Sequence, residues 1–89
     1  MNPLYSNPQD AQTIALMVIG WIVAEESRSE RFLTLTGLDG EQLRKGLGDP
    51  SILGAALDFL MGHERDLLTC SDAIDVAPEA IVAARAEIG

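Results

Sequence analysis

The order of apolar and polar positions divides this chain into short helical units. Ile14 to Ala24 reads Ile-Ala-Leu-Met-Val-Ile-Gly-Trp-Ile-Val-Ala, eleven residues with no charge and no side-chain hydrogen-bonding group except the Trp21 indole N–H. A helix that is apolar on every side needs cover on every side. This run is therefore expected to be the axis of the fold, with Trp21 largely buried. Downstream, three sets of apolar residues recur at helical spacing: Phe32, Leu33 and Leu35; then Ile52, Leu53, Ala56, Leu57 and Leu60; then Leu67, Leu68, Cys70 and Ile74. No stretch alternates as a half-buried strand does.

Polar punctuation sets the expected boundaries. Asn7-Pro8 puts a capping side chain before a proline, so a first helix is expected from about Pro8 to Glu26. Ser27 and Glu30 have capping-box spacing and would open a second helix, stopped at Gly37. Asp39 and Gln42 repeat that spacing for a short third helix, with Leu38 and Leu43 as a hydrophobic staple and Gly46 and Gly48 as its end. Asp49-Pro50 starts a fourth helix, Gly62 breaks the chain before a fifth, and Ala77-Pro78 opens a sixth, stapled by Val76 and Ile81. The pattern predicts an all-α fold: a compact orthogonal bundle of five to six short helices around the apolar N-terminal helix. Residues 1–6 are expected to be a flexible tail and residues 7–89 a single helical domain.

Composition narrows the partners more than the fold. The 89 residues carry 14 acids against 6 bases, a formal net charge of −8. Such a surface repels nucleic acid and anionic membranes. Cys70 is the single cysteine, which precludes an intramolecular disulfide and fits a reducing compartment. The apolar run spans about 16 Å as a helix, roughly half a bilayer core. No Lys or Arg precedes it, as a signal peptide would need. A cytoplasmic protein with no membrane partner is expected, either a monomer or a weak dimer.

The string Arg31-Phe-Leu-Thr-Leu-Thr-Gly-Leu-Asp39, with Gln42-Leu-Arg44, Asp49-Pro50, Leu57-Asp-Phe-Leu60, Glu64, Leu67-Leu68, Pro78-Glu-Ala80 and Ala84-Arg85, resembles a family of small, mostly alphaproteobacterial proteins catalogued as a domain of unknown function. The resemblance runs from about Ala15 to the end. It implies a small helical bacterial protein and supplies no activity, cofactor or catalytic residue. Many relatives carry an acidic pair where this chain has His63-Glu64, which weakens a catalytic role for His63.

Candidate chemistry is sparse. His63, Asp66 and Cys70 share one helix face and are zinc-ligand types, but a structural zinc site wants four ligands and this chain has one His and one Cys. As a nucleophile Cys70 would need a base. The only histidine lies seven residues back, about 10 Å along the same helix. The carboxylate pairs Glu25-Glu26, Glu64 with Asp66, and Asp72 with Asp75 sit at helix ends or on polar faces, where solvated charges are the rule. The scattered glycines form no phosphate loop. No catalytic residue, metal site or cofactor is expected, and the chain reads as a non-enzyme.

Two helices packed across the turn at Val76 give a helix-turn-helix spacing in Leu67, Cys70, Ile74, Val76, Ile81 and Ala84. The outward positions of the second helix, Glu79, Val82, Ala83, Ala86 and Glu87, lack the donors that base reading needs, and Arg85 is its only cation. Arg28, Arg31, Arg44 and Lys45 cluster in helices 2 and 3. The leading expectation is a small protein-interaction module or regulator with an unknown protein partner. Arg44, Lys45, Leu47 and Ile52 form its candidate partner face, with an Arg44–Glu41 helix pair as the plain alternative. A degenerate helix-turn-helix regulator and an unrecognised enzyme are the other readings.

Overall fold

A computed structural model describes residues 10–88. Among the described residues six helices follow one another: α1 (Ala11–Val23), α2 (Glu26–Thr36), α3 (Gly40–Lys45), α4 (Pro50–Met61), α5 (Glu64–Ile74) and α6 (Pro78–Ile88). The described residues contain no strand. The fold is all-α, as the apolar spacing predicts.

The caps explain most boundaries. The expected tail over residues 1–6 and the Asn7-Pro8 signal lie outside the described residues. Within them α1 starts at Ala11, later than expected, because the Asp10 carboxylate accepts a hydrogen bond from the Thr13 N–H. Asp39 and Gln42 close a reciprocal box at the start of α3. Asp49 accepts from the Ser51 N–H and hydroxyl, with Pro50 in the first turn of α4. Gly37 ends α2 at φ 77°, a conformation that costs other residues about 1–2 kcal/mol. Asp75 ends α5 in the same left-handed region, at φ 59°. The Val76 N–H and the Ser71 hydroxyl then exchange bonds across that turn, each with the other residue's carbonyl.

One expected cap is wrong. Helix α2 begins at Glu26, with Glu25 at the cap position and no side-chain cap bond, so Ser27 lies inside the first turn. The cause is the early end of α1 at Val23. The chain turns over Ala24 and Glu25, and Arg28 reaches back to donate to the Trp21 carbonyl. Arg28 also pairs with Glu25 at 2.9 Å and stacks 3.6 Å from the Trp21 ring centroid. Trp21 is accordingly half-buried rather than largely buried.

Helix α1 lies centrally, packed against α2, α4, α5 and α6. Its core face is Ile14, Ala15, Val18, Ile19 and Ile22. Phe32, Leu43, Leu53, Ala56, Leu57, Leu60, Cys70, Val76, Ile81 and Ala84 complete the core. Phe32 meets Phe59 edge-to-face at 5.3 Å, joining α2 to α4. Arg85 joins α6 to α4 through Asp58, at 2.7 and 3.2 Å. A β-carbon on Gly54 would sit 3.2 Å from the Arg85 guanidinium carbon, so the bare backbone there lets the fork lie flat.

The expectation that α1 is covered all round is corrected. Leu16 is 37% and Val23 45% exposed, and Gly20 is exposed between them. At 100° per residue these three fall within about 60° of one another on the helix wheel. Four helices cover the rest of α1 and leave this face to solvent. Leu35 at 70% and Leu68 at 51% exposure also depart from the expected stripes, and Leu68 lies roughly 110° from the middle of the Cys70–Ser71 buried arc of α5.

Candidate functional site

The expected partner corner is divided by the fold. Arg44 and Leu47 line an open groove of about 270 Å³, together with Ile19, Val23, Ser29, Leu33, Gly40 and Leu43. Three helices build it. Helix α1 supplies Ile19 and Val23, α2 supplies Ser29 and Leu33, and α3 with its following turn supplies the rest. The capping box at Asp39 holds α3 in place, and the turn closes through Asp49 N–H to the Gly46 carbonyl, 2.9 Å.

Ile52 does not join that groove. Its side chain lies over Gly46, where a β-carbon would stand 2.1 Å from the Ile52 Cδ1. Gly46 thus serves α3–α4 packing as well as ending α3. Lys45 is exposed and reaches Glu41 at 3.4 Å. The expected alternative, Arg44 paired with Glu41, gives way to this i,i+4 pair.

Arg44 is therefore left, with the exposed Arg65 of α5, without an ion pair among the described residues. Arg28, Arg31, Lys45 and Arg85 each have an acidic partner. Within the groove Arg44 is the one charged side chain. The sequence marked Arg44 and Leu47. It could not mark Ile19, Val23 or Leu33, because on an all-apolar run or a mixed helix nothing local says which apolar side chain borders solvent.

The other candidates are scattered or blocked. His63 occupies the α5 N-cap position, exposed and without a side-chain cap bond. Asp66 is half-buried and pairs with Arg31 of α2. Cys70 is fully buried, and burial pushes its thiol up to about 11, with Arg28 pulling it down and Asp66 adding to the rise. At neutral pH it is a protonated core side chain, the state least suited to nucleophilic attack. The described residues hold no group of three His, Cys, Asp or Glu placed for a metal ion. The outward residues of α6, Glu79, Val82, Ala83, Ala86 and Glu87, are all exposed, and Arg85 is engaged by Asp58. No helix of the described residues is long and apolar enough to cross a membrane.

Other depressions are more polar. One of about 530 Å³ between α4 and α6 is lined by Asp49, Ser51, Asp58 and Arg85 among others, and these polar groups bond one another. The α1–α2–α3 groove is the one whose floor is apolar and whose cation is unspent.

Comparison with curated proteins and with solved structures returns no match. The family model for Protein of unknown function (DUF3572) matches residues 8–89, which is nearly the entire chain, and the protein belongs to that family.

Proposed function

We propose that this protein is a cytoplasmic interaction module that acts by docking a protein partner rather than by catalysis. The observation that carries the reading is the α1–α2–α3 groove: an apolar floor of Ile19, Leu33 and Leu43, exposed apolar rims at Val23 and Leu47, and Arg44 as its lone, unpaired charge. Interface centres favour apolar surface with arginine among their anchors, and they disfavour most other charges. The titratable groups support a binding role. Cys70 is buried and protonated, His63 stands apart at a helix start, and Asp66 is committed to Arg31. The partner is a protein rather than nucleic acid, since four of the six cations are already paired within an acidic molecule.

The test is affinity purification from the native cell with wild type, Val23→Lys, Leu47→Lys and Arg44→Ala in parallel. The reading expects a partner captured by wild type and lost by the two lysine variants, with helix content unchanged by circular dichroism. Identical partner lists from all four proteins would remove the groove as the docking face.

A further inference from the structure

Gly20 sits in the interior of α1, exposed. A β-carbon there would meet nothing within 4 Å among the described residues, and its φ is not positive. Glycine in an exposed helix interior weakens the helix relative to alanine. This glycine is flanked on the same face by Leu16 four residues before and Val23 three residues after, both exposed and apolar. Val23 also lines the groove that holds Arg44. An apolar face interrupted by a bare backbone position lets another helix approach closely.

Resting on the docking reading above, we propose that the occupant of this surface is an amphipathic helix of a partner protein. It crosses α1 at Gly20, sets apolar side chains four residues apart against Leu16, Val23 and Leu47, and places a carboxylate on Arg44. Charge decides between occupants. A second copy of this chain would bring another −8 against −8, whereas a foreign helix needs only one acid opposite the unpaired Arg44. The open groove of about 270 Å³ suits two or three side chains from one helix face.

The experiment titrates the full chain with two helical peptides while amide shifts are followed by NMR. Both peptides carry leucines four residues apart on one face. One has glutamate a turn away and the other lysine, all else matched. The proposal expects the glutamate peptide to shift amides from Leu16 to Val23 and at Ser29, Leu33, Arg44 and Leu47. The lysine peptide should bind roughly tenfold more weakly, an order that Arg44→Glu reverses. Gly20→Ala is the decisive variant. It should raise the folding equilibrium constant about fourfold and yet weaken the glutamate peptide roughly tenfold, because the added methyl holds the helices apart. A variant that folds better and binds worse cannot be explained by unfolding.

Equal binding of the two peptides, or Gly20→Ala binding as wild type does, overturns the proposal. So does a dimer by light scattering that Gly20→Ala dissociates, which gives the face to a second copy. Equivalent shifts from decanoate alone would give it to a small carboxylate. Nuclear Overhauser contacts from Leu4 or Tyr5 to Leu16 or Val23 in the free chain would give it to the chain's own first residues. If partner capture from cells still depends on Val23 and Leu47 when the peptides fail, the docking reading stands and the helix is wrong. If neither depends on them, both fall.

Discussion

Asp75 and Cys70 illustrate how single residues carry tension within this fold. Asp75 holds a left-handed conformation so that α5 can stop and the chain can turn into Val76. Glycine takes that conformation freely, so Asp75→Gly should raise unfolding stability by about 1 kcal/mol, read by urea titration. A loss would show that the Asp75 carboxylate does something the turn needs. Cys70 makes stability depend on alkaline pH. Its thiol is raised in the folded state to about 11 from an ordinary value of 9.0. Between those values the unfolded chain loses this proton and the folded chain keeps it, so folding stability falls as pH rises. The loss is roughly 2 kcal/mol. Comparing urea midpoints at pH 8 and above pH 10 for wild type and Cys70→Ala should show the steeper fall in wild type. Parallel slopes would mean that the thiol is less enclosed than its burial says.

At the level of helices, the legible signals were those in which the chemistry is local. The Asp39 box and the Asp49-Pro50 start need only a side chain and the backbone within three residues, and both form. Ser27 had the same spacing as Asp39 and failed, because tertiary placement of Arg28 on the end of α1 fixed where α2 begins. The two sites therefore make a matched prediction. Asp39→Ala should cost about 1 kcal/mol, while Ser27→Ala should be within about 0.5 kcal/mol of wild type. Equal losses in thermal or urea unfolding would restore Ser27 as a cap. The candidate site was half legible for the same reason. Arg44 and Leu47 stand out as a charge and an apolar residue in a glycine-flanked turn. Val23 and Gly20 did not, because a run apolar on all sides gives no hint of which side its neighbours leave bare. The polar pattern that would mark the outer face of an ordinary surface helix is absent from the middle of α1 onward.

On the scale of the whole molecule, charge sets what can approach. With a net charge of −8 and Arg85 drawn into Asp58, the α5–α6 pair has helix-turn-helix order without a basic reading helix. No binding to double-stranded DNA is expected at physiological salt, measured by fluorescence anisotropy, since DNA affinity comes from clustered cations that release counterions. Micromolar affinity with a steep salt dependence would revive the regulator reading. Charge also frames the proposed docking surface, where Arg44, without an ion pair among the described residues, sits beside an apolar face.

The central claim is that α1 is buried on most sides and bare on one. Urea unfolding of three variants tests it directly. Ile22 is wholly buried, so Ile22→Ala should cost about 2–5 kcal/mol. Leu16→Lys and Val23→Lys place a good helix former with a flexible stem on a half-exposed position, so each should stay within about 1 kcal/mol of wild type. Losses at Leu16 or Val23 as large as that at Ile22 would mean the chain's own fold covers this face, leaving no surface for a partner.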